Sequence, residues 1–310
     1  MAARKQTVKR PFLKVHEPTA AEYVAASMAE NTRLAYKKDV ARFLAWGGSL
    51  PSSPERVAEY ISAHGDTHRP ATITRWVAAI TQAHAAIGCE SPCRASLVSD
   101  TLRGIRRVQG AHQRRVAPAI KEELEVMVSN LPTGLLGLRN RALLLFGFAG
   151  AMRRSELVHI KVEDLRFDTR GVRVNLGKTK TDQTGEHSEV AIPKGKGPLC
   201  PVKAIKTWLT AAQITRGPLF RAVSKTEVVG KSALTPLTVA RIVKSAAQGA
   251  GFDPSLYSGH SLRAGLATSA ARERKPLHKI KQQTRHKSDV TLLKYIRDAE
   301  LFDDNAADLL

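Results

Sequence analysis

Hydrophobic positions in the first hundred residues recur at helical spacing and break at turn residues. Leu34, Val40, Phe43, Leu44 and Trp46 share one face of a segment that Asn31 or Thr32 can cap, and Gly47-Gly48 ends it. Residues 54–64 open with Ser53-Pro54, a capping side chain followed by proline at the first helical position. Ile73, Trp76, Val77, Ile80 and His84 line one face of a helix predicted over 72–87, which Gly88 stops. Another helix is predicted over 95–108 and closes on the cluster Arg103, Arg106 and Arg107. This half of the chain reads as a small all-helical bundle.

Residues 109–119 carry Gly110, His112, Arg114, Arg115 and Pro118 with few apolar positions between them. A linker is therefore placed at 111–119, between a helical domain over 17–110 and a second domain over 120–310. Residues 1–16 read as a flexible basic arm. In the second domain helices are predicted at 120–131 and 137–150, the latter largely buried. The period then changes to that of strands in Leu165-Arg-Phe167, Val172-Arg-Val174-Asn-Leu176 and Val190-Ala-Ile192, separated by turn residues at Asp168–Gly171 and Asp182–Gly185. Helices resume near 201–214, 236–250, 260–273, 276–285 and 288–297. The fold class is thus a mainly α N-terminal bundle followed by an α+β domain, mostly helical with one small antiparallel sheet.

Charge adds what the pattern cannot. The 310 residues hold 49 Lys plus Arg against 28 Asp plus Glu, a net +21 that calls for a polyanionic partner, nucleic acid before an anionic membrane surface. The excess is spread over both halves: residues 1–120 hold 18 basic and 9 acidic side chains, which is +9, and leaves +12 for the rest. A neutral enzyme with a basic tag is therefore excluded. The longest apolar run, Ala142 to Met152, is 11 residues long, short of the roughly 18–20 that span a bilayer, so no membrane association is expected. The N-terminus shows no apolar core of a signal peptide. Cys89, Cys93 and Cys200 form neither a disulfide framework nor a zinc set, which points to free thiols in a reducing cytoplasm.

Four segments carry candidate chemistry. In Gly150-Ala-Met-Arg153-Arg154-Ser155-Glu156-Leu157 arginines stand at the end of the buried apolar helix, where a guanidinium fork can take an anion. Lys178-Thr-Lys180-Thr-Asp182 tips the predicted hairpin and can deliver a lysine beside a phosphate. His260-Ser-Leu-Arg263 opens a helix, and its i, i+3 spacing sets imidazole and guanidinium on one face near an anion-favouring helix N-terminus. Arg285-His286-Lys287-Ser288 is followed, nine residues after His286, by Tyr295 in Leu293-Lys-Tyr295-Ile-Arg297. Each segment also has a plain reading as a solvated helix junction, a charged turn or ordinary packing.

In this order the set resembles the tyrosine recombinase (phage integrase) family. Arg153 matches through R-x-S-E-L, Lys180 through T-K-T, His260 and Arg263 through H-x-L-R, and His286 and Tyr295 through the nine-residue step. Asn31 to Trp46, as N-T-x-x-A-Y-x-x-D-x-x-x-F-x-x-W, resembles the family's core-binding helical domain, so the likeness runs from about residue 30 to residue 300. Two positions stay open: Arg154 is a second arginine beside Arg153, and Lys178 rivals Lys180. Tyr257 lies near His260 but before the helix, outside the nucleophile's box.

The resemblance implies a site-specific DNA recombinase of simple two-domain, Cre-like or Xer-like architecture, acting through a 3′-phosphotyrosyl intermediate and a Holliday junction. Tyr295 would be the nucleophile, His260 the base, Lys180 the acid, and Arg153, Arg263 and His286 the groups on the phosphate. Glu156 would orient an arginine or a histidine from behind. The family needs neither metal nor other cofactor, and none is expected. The expected partners are double-stranded DNA and further copies of the chain, a homotetramer on two sites, with the apolar residues of 301–310 docking on a neighbouring protomer. Two other functions fit the charge: relaxation of DNA as in type IB topoisomerases, and non-catalytic architectural binding.

Overall fold

The computed structural model describes residue 19 and residues 28–110, 116–177, 189–286, 288–290, 292–293 and 295. The expected arm at 1–16, part of the expected linker, Lys178 and Lys180, and residues 301–310 lie outside the described residues. The chain divides into two compact units, Met1–Gln113 and Arg114–Leu310.

Among its described residues the first unit holds four α-helices: α1 (Glu30–Ala45), α2 (Pro54–Ala63), α3 (Pro70–Ala86) and α4 (Ser96–Gln109). Phe43, Val57, Tyr60, Ile61, Ile73, Trp76, Ile80 and Val98 interlock as its core. The turn after α1 needs Gly48, since a Cβ there would meet the Phe43 ring at 2.4 Å. Ser53 caps α2 as its sequence predicts, its hydroxyl accepting from the Arg56 amide at 3.2 Å. Two helix starts differ from expectation. α1 begins at Glu30, ahead of the expected caps Asn31 and Thr32, because the Ala29 carbonyl already accepts from the Thr32 and Arg33 amides. α3 begins at Pro70 rather than Thr72, with the proline at a first position where its missing N–H is no loss. His84, on the apolar face, is a satisfied core residue: Nε2 accepts from the Ser52 amide at 2.9 Å while Nδ1 faces the Ile80 carbonyl at 2.8 Å.

The second unit is built on α5 (Lys121–Ser129), α6 (Gly134–Ala149) and a short α7 (Arg154–His159). Strands β1 (Leu165–Phe167), β2 (Gly171–Asn175) and β3 (Glu189–Pro193) form an antiparallel sheet in the order β1-β2-β3, with Val172 opposite Ile192 and Val174 opposite Val190. These four side chains turn to the core, and the alternation that predicted the strands is the alternation of burial along them. Next come α8 (Pro201–Ala211), a hairpin of β4 (Arg221–Val223) and β5 (Val229–Ala233), and then α9 (Pro236–Gly249), α10 (Ser261–Arg272) and α11 (Leu277–Thr284). Helical backbone returns at Asp289 and includes Leu292, Leu293 and Tyr295.

The β4–β5 hairpin corrects the expectation of a single sheet. It escaped the sequence because no residue of either strand is buried: both run half-buried to exposed, so no apolar face marks them. α6 is the central helix, with Ala142 to Phe146 buried from end to end. Gly265 lets α10 lie against the backbone at Ala119, where a Cβ would come within 1.8 Å of the carbonyl oxygen. Among the described residues no helix is long and apolar enough to cross a membrane.

Candidate active site

The site is assembled where α6 ends, α10 begins and α11 stops. The end of α6 turns sharply through Ala151, which holds a left-handed φ of 46°. The Met152 amide returns to the Gly147 carbonyl at 2.8 Å, and the chain then runs extended through Arg153 into α7. Glu156, one turn further, is buried and reaches back: its carboxylate accepts from the Arg153 amide at 2.9 Å and from the Arg153 guanidinium. Arg153 is therefore tied down and mostly covered. Arg154 is exposed, its aliphatic stem lying against Gly259.

α10 presents the H-x-x-R pair. The Ser258 hydroxyl accepts from the His260 amide at 3.1 Å, and Ser261 Oγ accepts from the Ser258 amide at 2.9 Å, which fixes the turn into the helix. Arg263 is 1% exposed. Its Nη1 donates to the Ala151 carbonyl at 3.0 Å, while Nη2 is buried without a hydrogen-bond partner. Burial, then the Arg153 and Arg285 cations, pull this guanidinium down to about 9, although Glu156 opposes them. A buried cation with an unused donor is costly to keep unless something anionic completes it.

The chain that follows α11 delivers the remaining groups. His286 Nδ1 lies 2.8 Å from Thr284 Oγ1, whose own proton goes to the Ile280 carbonyl at 2.7 Å. Burial first, then Arg263, Arg153, His260 and Arg285, push His286 down to about 3, so it is neutral at working pH. The Tyr295 ring lies tilted beside it with centroids 5.9 Å apart, and its hydroxyl is 3.0 Å from His260 Nε2. His260 keeps an exposed edge, yet the protein crowding its ring and the cations Arg263, Arg153 and Arg154 hold it below its ordinary value. A neutral imidazole at hydrogen-bond distance from a phenol can take its proton. Tyr257, by contrast, is buried and pushed up to about 12 by that burial and by Glu123, which makes it a poor nucleophile.

Five of the six expected catalytic residues thus converge: Arg153, His260, Arg263, His286 and Tyr295, with Glu156 behind Arg153. The sixth, Lys180, lies outside the described residues, as does its rival Lys178. Sequence reasoning gave no role to Arg285, which is mostly covered and also bonds Glu156, at 2.8 Å, or to Gln283, which donates to the Ala149 carbonyl at 2.7 Å. The available signal was Arg285's place directly before His286, but nothing in a one-dimensional pattern marks a cation as covered. Among the described residues no cluster of His, Cys, Asp and Glu could hold a metal ion.

Residues 120–301 match the phage integrase family. An integrase/recombinase XerD homologue of Selenomonas ruminantium is 40% identical over 290 residues, covering 90% of this chain and 85% of that protein. Among solved structures, XerH recombinase in a post-cleavage complex with its difH substrate superposes with a TM-score of 0.63 at 21% identity, over 83% of this chain and 72% of that one. A lambda integrase tetramer bound to a Holliday junction gives 0.60 at 16% identity, over 86% and 75%. The chain belongs to the phage integrase family and is a tyrosine-type site-specific recombinase, an enzyme of DNA breakage and rejoining.

Proposed function

We propose that Tyr295 is the nucleophile of this recombinase and that the convergent cations hold the scissile phosphate. The observation that carries the reading is the Tyr295 hydroxyl at 3.0 Å from His260 Nε2, in a site whose buried Arg263 keeps an unused donor. The phenol oxygen attacks phosphorus, the P–O5′ bond breaks, and a 3′-phosphotyrosyl link and a free 5′-hydroxyl result. His260 accepts the phenol proton, and Lys180 supplies one to the departing 5′ oxygen. Arg153 and Arg263 balance the extra negative charge of the pentavalent transition state; Arg153 rather than Arg154 takes this role because Glu156 aims it. In the free protein His286 is neutral, with Nδ1 turned to Thr284. A phosphate anion reverses the local field, favours a proton on Nε2, and turns that nitrogen into a donor to a non-bridging oxygen.

Attack of the 5′-hydroxyl of a second duplex reverses the chemistry and exchanges strands through a Holliday junction, within a homotetramer on two DNA sites in the cytoplasm. Both basic units grip the duplex, so affinity falls steeply with salt. The 111–119 segment links the DNA-gripping domain to the catalytic one. The relaxation and architectural readings gain nothing from the relatives, whose names are those of integrases and recombinases. On nicked site DNA the wild-type chain forms a covalent adduct, and Tyr295→Phe forms none while still shifting the DNA at the same salt. An undiminished adduct in that variant overturns the assignment; relaxation of a supercoiled plasmid without exchange between two sites overturns recombination in favour of the topoisomerase reading.

A further inference from the structure

Arg285 is the side chain that joins the separate parts of this site, and the chemistry above does not use it. It follows the last turn of α11 with φ 54° and ψ 42°, a left-handed conformation that suits glycine and that a long side chain adopts at a cost. The side chain is 10% exposed and runs inward, away from the solvent that a basic residue at a helix end ordinarily seeks. Its Nη1 donates to the Gly150 and Gln283 carbonyls, each at 3.0 Å, and its Nη2 to the Ala151 carbonyl at 3.2 Å and to Glu156 Oε2 at 2.8 Å. Burial lowers its affinity for the proton and the Glu156 carboxylate restores part of it, so the group works as a cation.

Two of these acceptors also serve residues of the site. The Ala151 carbonyl accepts from Arg263 as well. Glu156 holds the backbone and the guanidinium of Arg153. Gln283 stands three residues before His286 and is itself sewn to the Ala149 and Ala191 carbonyls. A planar fork with five donors can satisfy this set of acceptors; a lysine ammonium, a single point with three, cannot span them. We infer that Arg285 is a positioning residue that sets Arg153, Arg263 and His286 in register for one phosphate by cross-linking the Gly150–Ala151 turn, Glu156 and the end of α11. The inference rests on the reading that Tyr295 attacks a phosphate held by those three groups.

The test compares full-length wild type, Tyr295→Phe, Arg285→Gly and Arg285→Lys on nicked site DNA. Glycine suits the left-handed backbone, so Arg285→Gly removes the fork without straining the chain. The adduct-forming rate at saturating DNA is expected to fall about 100-fold in Arg285→Gly, with DNA affinity at fixed salt within about threefold of wild type. Guanidinium chloride, well below its denaturing range, should restore about tenfold of that loss where equimolar sodium chloride does not. Arg285→Lys should stay slow despite its charge. A wild-type rate in Arg285→Gly overturns the inference, and so does a loss of rate matched by a loss of affinity and untouched by guanidinium, which is the mark of a merely structural residue. If Arg285→Gly does not fold, Arg285→Lys decides: a wild-type rate there overturns the inference. A wild-type chain that forms no adduct, or a Tyr295→Phe chain that does, defeats the reading of the site itself and not this inference alone.

Discussion

The two units bury charge in opposite ways. In the first, Asp39 on α1 is 2% exposed and fully answered: Arg75 of α3 reaches it with Nε at 2.7 Å and Nη2 at 3.0 Å, and Arg42 stands 3.6 Å away. Both arginines are nearly half exposed, so the carboxylate is the buried partner and the cations keep contact with water. In the second, the deeply buried partner is a cation. Among the described residues Arg263 has a carbonyl for one nitrogen and no hydrogen-bond partner for another, while the carboxylate beside it, Glu156, is shared by Arg153 and Arg285. A self-satisfied pair holds helices together. An excess of cations with an open donor holds a place for an anion, and the protein keeps it at the expense of stability.

Three measurements would break or sharpen this contrast. The largest effect is expected from Arg263→Ala, which removes the open Nη2 donor together with the Nη1 bond to the Ala151 carbonyl. The adduct-forming rate should fall by about 10²–10³-fold, as for loss of one transition-state donor. Thermal stability should change little, because the loss of a buried cation without a carboxylate of its own offsets the cavity and the lost Ala151 bond. A marked fall in melting temperature would show Arg263 to be a structural residue like Arg75. Next in size is Arg75→Met, which leaves the Asp39 carboxylate buried with only a distant partner. Urea unfolding should show a loss of about 3 kcal/mol, near the lower end for breaking a buried pair from one side. No loss would mean that the pair is ornamental and that the contrast between the units is false.

The smallest effect concerns pH. At subsaturating DNA the rate reports the free enzyme, where His260 sits below its ordinary value and must be neutral to take the Tyr295 proton. Activity should therefore be full at neutral pH and fall about tenfold per unit only well below about 6.5, the unperturbed histidine value. An acid limb already at or above that value would place the base elsewhere. Linkage gives the same direction for stability. His286, pushed down to about 3, binds fewer protons folded than unfolded across the range between its two values, so the catalytic unit should lose stability as pH falls through it.

Much of this was legible in the sequence where a residue's role follows from period or spacing. Val172, Val174, Val190 and Ile192 advertised their strands because burial alternates there. His260, Arg263 and Tyr295 were recognisable through the ordered motifs in which the chain resembles the tyrosine recombinase family. The β4–β5 hairpin and Arg285 were not legible, for different reasons. The hairpin has no buried face to write a pattern. Arg285 is a surface residue by composition and becomes a mostly covered one only through a left-handed turn that the sequence T-R-H does not mark.

The spent end of α6 has one more consequence. Its last carbonyl, Ala149, accepts from Gln283, and the carbonyls of the turn that follows, Gly150 and Ala151, accept from Arg285 and Arg263, so the negative pole of a sixteen-residue helix macrodipole faces the arginines. That pole acts as a diffuse counterion made of backbone. A carboxylate in its place would compete with the phosphate for the same guanidinium groups. Peptide dipoles steady the cations against their mutual repulsion while leaving whole negative charge for the substrate to bring. Because the counterion is main chain, no side-chain substitution can delete it, and the site's affinity for an anion is anchored in the helix itself.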